Sequence, residues 1–470
     1  MNYEQLKTIF LQNFPYEANT EQAAFFSDLA KFIFSTSHTC FMLTGYAGTG
    51  KTTVVKSVVE TYKQLNGHII LLAPTGRASK VLSQRTGKSA STIHRHIYMP
   101  KSNGGLASFT IRPNKYKHAL FVVDEASMIA DSPSESQVFG GRSLLNDLIE
   151  YIAQGHKCKV LLIGDDAQLP PVGVDLSPAL NPRTLHIDFG LTVATQNLSQ
   201  VIRQAEKSTV LRNATQIRKI IADGNLQKPK IELAKDVVRL TDPYEMEEIF
   251  QSCFADHNNE NGIMIVRSNK RANKYNLDIR ARIQFKEVIL SSGDQLMVVK
   301  NSYHWLESNS EAGFIANGDT IEVLSLRNRE EMYGHTFTDA TIQLLDYPNQ
   351  QPIDVKIMLD VLEADGPALP HAQHKRLFDD IFLDCDEHLS KSARMQEVMN
   401  SPFYNALQVK FAHVVTCHKA QGGQWPNVII EQSWLPDGEI DQEYLRWLYT
   451  AFTRAQENVY HIGFDDSFFA

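Results

Sequence analysis

The chain has 470 residues, 43% hydrophobic and 21% charged, with a net charge of −8. At ~150 residues per domain, that length suggests about three domains of ordinary globular composition. The acidic balance excludes an all-over basic coat for nucleic acid, though not a local basic groove. No apolar run approaches the ~18 residues of a membrane helix, and Met1-Asn2-Tyr3-Glu4-Gln5 lacks the basic start of a secretion signal. Five cysteines are scattered without a C-x-x-C pair. Neither a disulfide framework nor a zinc knuckle is indicated, and a reducing, cytoplasmic compartment fits. The pairs His94-x-His96 and His371-x-x-His374 have no further ligand at metal spacing.

From residue 20 to about 205, short apolar runs alternate with helical stretches, as in a parallel sheet covered on both faces. Thr20 can cap a first helix with Phe25, Leu29, Phe32 and Ile33 on one stripe. Strands are expected at 40–44, 69–73, 119–123 and 160–163. Residues 97–118 interrupt the order with Pro100, Gly104, Gly105 and Pro113, and predict an inserted hairpin.

Between the first strand and a helix carrying Val55, Val58 and Val59 lies Gly45-Tyr46-Ala47-Gly48-Thr49-Gly50-Lys51-Thr52. It fits G-x-x-x-x-G-K-[ST], the loop that wraps nucleotide phosphates. The glycines let backbone N–H groups approach the anion. Lys51 supplies positive charge near the β- and γ-phosphates, and the Thr52 hydroxyl can join a Mg²⁺ shell. A bound ATP with Mg²⁺ is therefore expected, held by Gly45, Gly48, Thr49, Gly50, Lys51, Thr52 and Thr53.

The 119–123 run ends in Asp124-Glu125, at the carboxyl end of a strand, where ligands bind in open α/β sheets. Asp124 suits Mg²⁺, and Glu125 suits orienting an attacking water, which favours hydrolysis over phosphate transfer to a small molecule. Next, Gly164-Asp165-Asp166-Ala167-Gln168-Leu169-Pro170-Pro171 follows the last of these strands. Gln168 is placed to touch the γ-phosphate, and the prolines stiffen the exit.

A second alternating unit begins near 206. Its expected elements are a strand at 262–266, a helix at 269–283, strands at 412–416, 427–430 and 458–463, and a helix through 445–453. Between them, 285–345 reads as β-rich, with turns at Ser292-Gly293-Asp294 and Asn317-Gly318-Asp319. Residues 365–404 are charged, with helix or loop expected.

In this order the motifs resemble a superfamily 1 (1B) DNA helicase of the RecD/Dda group, over nearly the whole chain. The resemblance implies two tandem RecA-like α/β domains. The first is 1–205 with a pin-like insertion at 97–118. The second is 206–300 plus 405–470, and 301–404 occupies the place of an SH3-like insertion. Gln22 stands where that family reads adenine. Ala73-Pro74-Thr75-Gly76-Arg77-Ala78-Ser79-Lys80 and Thr92-Ile93-His94-Arg95 resemble motifs that line the single-stranded DNA path. The resemblance assigns Pro74, Thr75, Lys80, Thr92 and His94 to DNA contact, joined from the second domain by Asn269, Thr416 and His418.

Arg203, in Leu198-Ser199-Gln200-Val201-Ile202-Arg203, and Arg454, in Tyr449-Thr450-Ala451-Phe452-Thr453-Arg454, match the two arginines that reach the γ-phosphate. Relatives often carry Glu where this chain has Gln424, a position that binds the ribose of ATP. Tyr98, Phe109 and Tyr116 are candidates to stack on a base or wedge a fork, beside the alternative that they pack within their hairpin.

The function implied is ATP-driven movement on single-stranded DNA with unwinding of forked duplex, 5′ to 3′, by a monomer with replication or recombination partners. A DNA-stimulated ATPase switch that remodels complexes without unwinding stands as the alternative.

Overall fold

A computed structural model describes residues 1–101, 108–131, 142–202, 208–224, 226–255, 260–307, 310, 312–347, 349–432, 435 and 440–470. The runs of buried apolar residues become the central strands of two parallel sheets. The first has the spatial order Ala90–Thr92, Ile69–Ala73, Leu120–Val123, Lys159–Gly164, Cys40–Gly45, Val193–Leu198, every neighbour parallel. Successive side chains of a strand point to opposite faces. Accordingly Phe41, Leu43 and Val122 pack with Phe25, Leu29 and Val55 on one side. Met42, Phe121 and Val123 pack with Ile93, Leu148 and Leu185 on the other.

The second sheet repeats the plan in the order Val414–Thr416, Gly262–Val266, Trp425–Glu431, Ala455–Ile462, Val237–Leu240. All its neighbours are parallel as well. Both sheets therefore carry the α/β, RecA-like architecture expected of the sequence. The edge strand Val237–Leu240 had not been anticipated, because it is short and interrupted by Arg239.

A five-stranded antiparallel sheet forms the insertion, ordered Ile353–Met358, His335–Leu344, Thr320–Met332, Gln295–Val298, Val409–Phe411. It extends past the expected 301–404 on both sides. Gln295–Val298 and Val409–Phe411 pair within it, and Leu296, Val298, Val409 and Phe411 share its core with Ile321 and Ile342. At the tip of its longest hairpin, Tyr333 and Gly334 both take positive φ, 53° and 72°. Two positive φ values match the right-handed twist of the flanking strands. Within 365–404 there are two helices, His371–Asp384 and Lys391–Asn400, whose Leu377, Ile381 and Val398 pack on Phe337 and Met358 of that sheet.

The predicted hairpin at 97–118 contains the antiparallel pair Tyr98–Lys101 and Ser108–Ile111. Among the described residues, no helix is long and apolar enough to cross a membrane.

Candidate nucleotide cleft and strand-binding face

The glycine loop leaves the sheet from Cys40–Gly45, a strand flanked by Lys159–Gly164 and Val193–Leu198. Gly48 and Gly50 hold φ of 76° and 86°, values that a side chain strains. A Cβ on Gly50 would also lie 2.8 Å from Gln22 Nε2 and 2.9 Å from Ile202 Cδ1. No side chain caps the helix Lys51–Gln64 that follows. Its first amides stay available to an anion, and the helix dipole favours negative charge there.

Lys51 Nζ donates to the carbonyls of Gly45 and Tyr46, and lies 3.9 Å from Asp165 Oδ2. Thr49 is buried, and its hydroxyl donates to Tyr46 O at 2.8 Å. Gln22 lies beneath the loop. Its Nε2 donates to Thr49 O at 3.2 Å, while its Oε1 accepts from Asn19 N. The amide thus braces the loop as well as facing the cavity.

That cavity, about 1290 Å³, opens between the two parallel sheets and is lined by Gln22, Lys51, Thr52, Glu125, Gln168 and Arg454 among others. Thr53, Arg85, Asp124 and Gln424 also reach it. Its size suits a nucleoside triphosphate; drug-sized ligands occupy ~300–1,000 Å³.

Asp124 follows the buried strand Leu120–Val123. Burial first, then the Glu125 charge beside it, pushes its carboxyl up to about 6. Its Oδ1 accepts the Glu125 amide at 3.0 Å. A carboxylate crowded in this way is one that a divalent cation would relieve. Among the described residues no three His, Cys, Asp or Glu side chains converge. Thr52 and Asp124 both line the cavity, and their oxygens are of the type that Mg²⁺ takes alongside substrate phosphates and water. Glu125 has φ of 54°, unusual for a residue with a side chain. Gln168 is buried, and among the described residues nothing donates to its Oε1.

Arg454 enters from the second sheet. It is 3% exposed, and its Nε, Nη1 and Nη2 donate to Thr450 O, Gly423 O and Thr453 Oγ1 at 3.2, 3.3 and 3.1 Å. Held there, Nη1 stands 3.9 Å from Glu125 Oε1. Among other contacts that join the sheets, Thr450 Oγ1 accepts the Leu169 amide at 2.9 Å, and Gln421 Nε2 donates to Leu169 O at 2.7 Å. Arg203 lies outside the described residues.

The residues expected to touch DNA gather at one edge of each sheet. Pro74 and Thr75 follow strand Ile69–Ala73, and Thr92 ends its neighbour Ala90–Thr92. Asn269 follows Gly262–Val266, while Thr416 ends its neighbour Val414–Thr416 and His418 comes just after. Thr75 and Thr92 cap helices, accepting the amides of Ala78 and Arg95. Lys80 Nζ is engaged by the insertion, donating to Leu345 O at 3.1 Å. Burial lowers His94 to about 4, and lowers His418 too. A neutral His94 offers an uncharged contact near pH 7 rather than a phosphate clamp.

The hairpin rings depart from expectation. Tyr98 is buried, and its hydroxyl donates to Asp147 Oδ2 at 2.6 Å. Tyr116 packs on His96 and Phe121 at 6.0 and 5.7 Å. Phe109 packs on Tyr303 and Phe314 of the insertion at 4.7 and 6.3 Å. Tyr98 is a core residue of the first sheet, Tyr116 packs half-buried against that core, and Phe109 fastens the hairpin to the insertion. Tyr98 and Phe109 are each engaged by a partner distant in sequence, and Tyr116 stays half-buried beside them.

The AAA domain family matches residues 17–239, and the UvrD-like helicase C-terminal domain family matches 411–462. The chain is 35% identical over 195 residues to the ATP-dependent RecD2 DNA helicase of Deinococcus radiodurans, covering 41% of this chain and 23% of that protein. It is 34% identical over 152 residues to the ATP-dependent DNA helicase dda of Enterobacteria phage T4, covering 31% and 32%. The chain is related to the RecD/Dda group of superfamily 1 helicases. It spans less than a third of the length of either of these relatives. Uncharacterized protein R530 of Acanthamoeba polyphaga mimivirus aligns almost end to end, at 23% identity over 94% of this chain and 99% of that one. A Bacteroides Pif1 helicase solved with ADP-AlF3 and ssDNA superposes with a TM-score of 0.48 at 16% identity, covering 96% of this chain and 93% of that one.

Two residues of the cleft escaped the motif reading. Arg85 ends the helix Gly76–Thr86 and donates to Gln424 Oε1 across the cleft. Burial depresses its guanidinium, and the charges of Asp124 and Glu125 offset that in part. Arg218 lies over the Tyr46 ring at 3.9 Å, a cation–π contact onto the phosphate loop. Both lie outside every motif, so spacing gives no cue. Only the packing of the second unit on the first brings them in.

Proposed function

We propose that this chain is an ATP-dependent DNA helicase that moves on single-stranded DNA, 5′ to 3′, and unwinds forked duplex. The observation that carries this is Arg454 of the second sheet standing 3.9 Å from Glu125 of the first, in one cavity with the phosphate loop. Turnover then requires both sheets, so hydrolysis is tied to their relative position.

In this reading the loop amides and Lys51 bind the β- and γ-phosphates, and Thr53 adds a hydroxyl at the helix start. Glu125 orients water for attack on the γ-phosphorus, and Gln168 contacts a γ-oxygen. Arg454 stabilises charge spreading over the γ-oxygens, with Arg203 as its proposed companion. Mg²⁺, held by Thr52 and Asp124, supplies charge neutralisation on the phosphates. Gln22 and Gln424 serve the base and ribose, the latter without the charge of a glutamate.

A strand crossing both sheet edges would meet Thr75, Thr92, Asn269 and Thr416 in turn. Its affinity should fall steeply with salt, because phosphate contacts release counterions. The enzyme acts as a cytoplasmic monomer on forked DNA, beside replication or recombination proteins.

The engagement of Phe109 by Tyr303 and Phe314 favours a second reading, a DNA-stimulated ATPase switch in which that ring is packed on the insertion rather than wedging a fork. One experiment separates them. ATPase is measured with single-stranded DNA, single-stranded RNA and duplex as activators, and strand displacement is followed on forks with 5′ or 3′ tails. Displacement of the 5′-tailed fork supports the helicase. Stimulated hydrolysis without displacement supports the switch, and hydrolysis indifferent to nucleic acid overturns both.

A further inference from the structure

Helix Gln442–Phe452 carries Tyr449 five residues before Arg454. The ring is 1% exposed, and its hydroxyl sits between two loops of the other sheet. It donates to Asp165 Oδ2 at 2.7 Å and accepts the Ala47 amide of the phosphate loop at 3.0 Å. Asp165 is equally buried. Its Oδ1 accepts the Ala167 amide at 3.1 Å. The same Oδ2 that accepts the phenol's hydrogen bond lies 3.9 Å from Lys51 Nζ. One hydroxyl thus touches the glycine loop and the carboxylate nearest the loop's lysine.

Asp165 Oδ2 has two donors within reach, the phenol and the ammonium. In a buried setting a carboxylate short of hydrogen bonds pairs with the nearest cation, since the alternative is an unpaired charge. With the phenol bound, the ammonium stays on the Gly45 and Tyr46 carbonyls. Without it, the carboxylate would draw Lys51 off the loop, and the Ala47 amide would lose its acceptor. Both changes act where phosphates bind, and neither touches the water-orienting acid.

We propose that Tyr449 is a positioning residue for nucleotide binding, holding Asp165 away from Lys51 so that the ammonium stays available to the phosphates. The tyrosine shares a helix with the start of the Arg454 turn, so separation of the sheets would withdraw the hydroxyl and the arginine together. Binding of the phosphates thereby becomes sensitive to cleft position, as the catalytic step is. This rests on the ATP reading above.

The test uses the full chain as wild type, Tyr449→Phe, Asp165→Asn and the double variant. It reads the Kd of a fluorescent ATP analogue, kcat for ATP with saturating single-stranded DNA, and Tm. Tyr449→Phe should raise Kd about tenfold, the scale of a lost hydrogen bond to a charged group. Asp165→Asn alone should leave Kd within about threefold of wild type, because in the wild type the phenol already keeps that carboxylate off Lys51. In the double variant, Kd should return to within about threefold of wild type, since an amide attracts the ammonium far less than a carboxylate does.

A merely structural tyrosine would lower Tm and the active fraction while leaving Kd unmoved, and that result overturns the proposal. A double variant as weak as Tyr449→Phe also overturns it. If Tyr449→Phe fails to fold, the double variant decides by itself, a Kd raised about tenfold over wild type being fatal. Wild-type chain that binds the analogue yet shows no turnover would refute the ATPase reading while the Kd series still judges Tyr449.

Discussion

The two walls of the nucleotide cleft are built differently. The first wall carries groups under tension: Glu125 at φ of 54°, Gln168 with a buried Oε1 that nothing bonds among the described residues, and Asp124 pushed up to about 6. In the second wall every working group is tied down. All three nitrogens of Arg454 donate to its own side of the cleft. Thr450 and Gln421 are fixed on Leu169. The difference teaches a division of labour for the proposed reaction: one side would hold the incompletely paired groups, and the other would bring a rigid charge to them. Preorganised charge of that kind costs no rearrangement at the moment of reaction.

Breaking the reactive wall should have the largest effect. Lys51→Ala removes the charge nearest the phosphates, and ATP turnover should fall below detection; an ATPase rate near wild type would end the comparison at its first term. Arg454→Ala attacks the rigid wall. Loss of an arginine finger costs ~10³ or more in kcat, with DNA binding in filter or anisotropy assays little changed. If DNA binding collapsed instead, the arginine would be holding the two sheets together rather than acting on the nucleotide.

Glu125→Gln should lower kcat by about 10²-fold or more, the usual worth of general-base assistance, while nucleotide affinity persists. Loss of affinity would mean that the strained carboxylate serves binding. The smallest change is Thr450→Ala, which removes the acceptor of the Leu169 amide. It should cost about 1 kcal/mol or somewhat more, as a buried N–H goes unpaired. Thermal melting reads that directly, and kcat should fall less than for Arg454→Ala.

Much of this was legible in the amino-acid order. Strands such as Ile69–Ala73 and Gly262–Val266 are short, wholly apolar runs that only a sheet covered on both faces accommodates. The phosphate loop and Asp124-Glu125 are local patterns whose chemistry depends on neighbours a few residues away. What stayed hidden is pairwise and distant. Tyr449 and Asp165 are 284 residues apart, and no periodicity reports such a pair. Tyr98 looked available to a base until Asp147, 49 residues on, proved to hold its hydroxyl. Aromatic identity says that a ring wants contact; it does not say whether the contact is a base or Phe314. The reach of the antiparallel sheet to residue 295 and residue 411 was hidden for a related reason. Gln295–Val298 and Val409–Phe411 read as strands of any sheet, and pairing alone assigns them.

The helix Gly76–Thr86 has its two ends in different company. At its start, Gly76 approaches Asp319 of the insertion so closely that a Cβ there would sit 2.6 Å from Oδ1. Arg77 meanwhile stacks on Trp425 at 3.9 Å. At its finish, Arg85 enters the nucleotide cavity and meets Gln424. Eleven helical residues make a stiff rod about 16 Å long. A tilt of about 10° about one end would carry the other by about 3 Å, roughly the reach of a hydrogen bond. One stiff helix thus has its first turn against the insertion and its last turn in the cavity, so a tilt imposed at either end would be carried to the other.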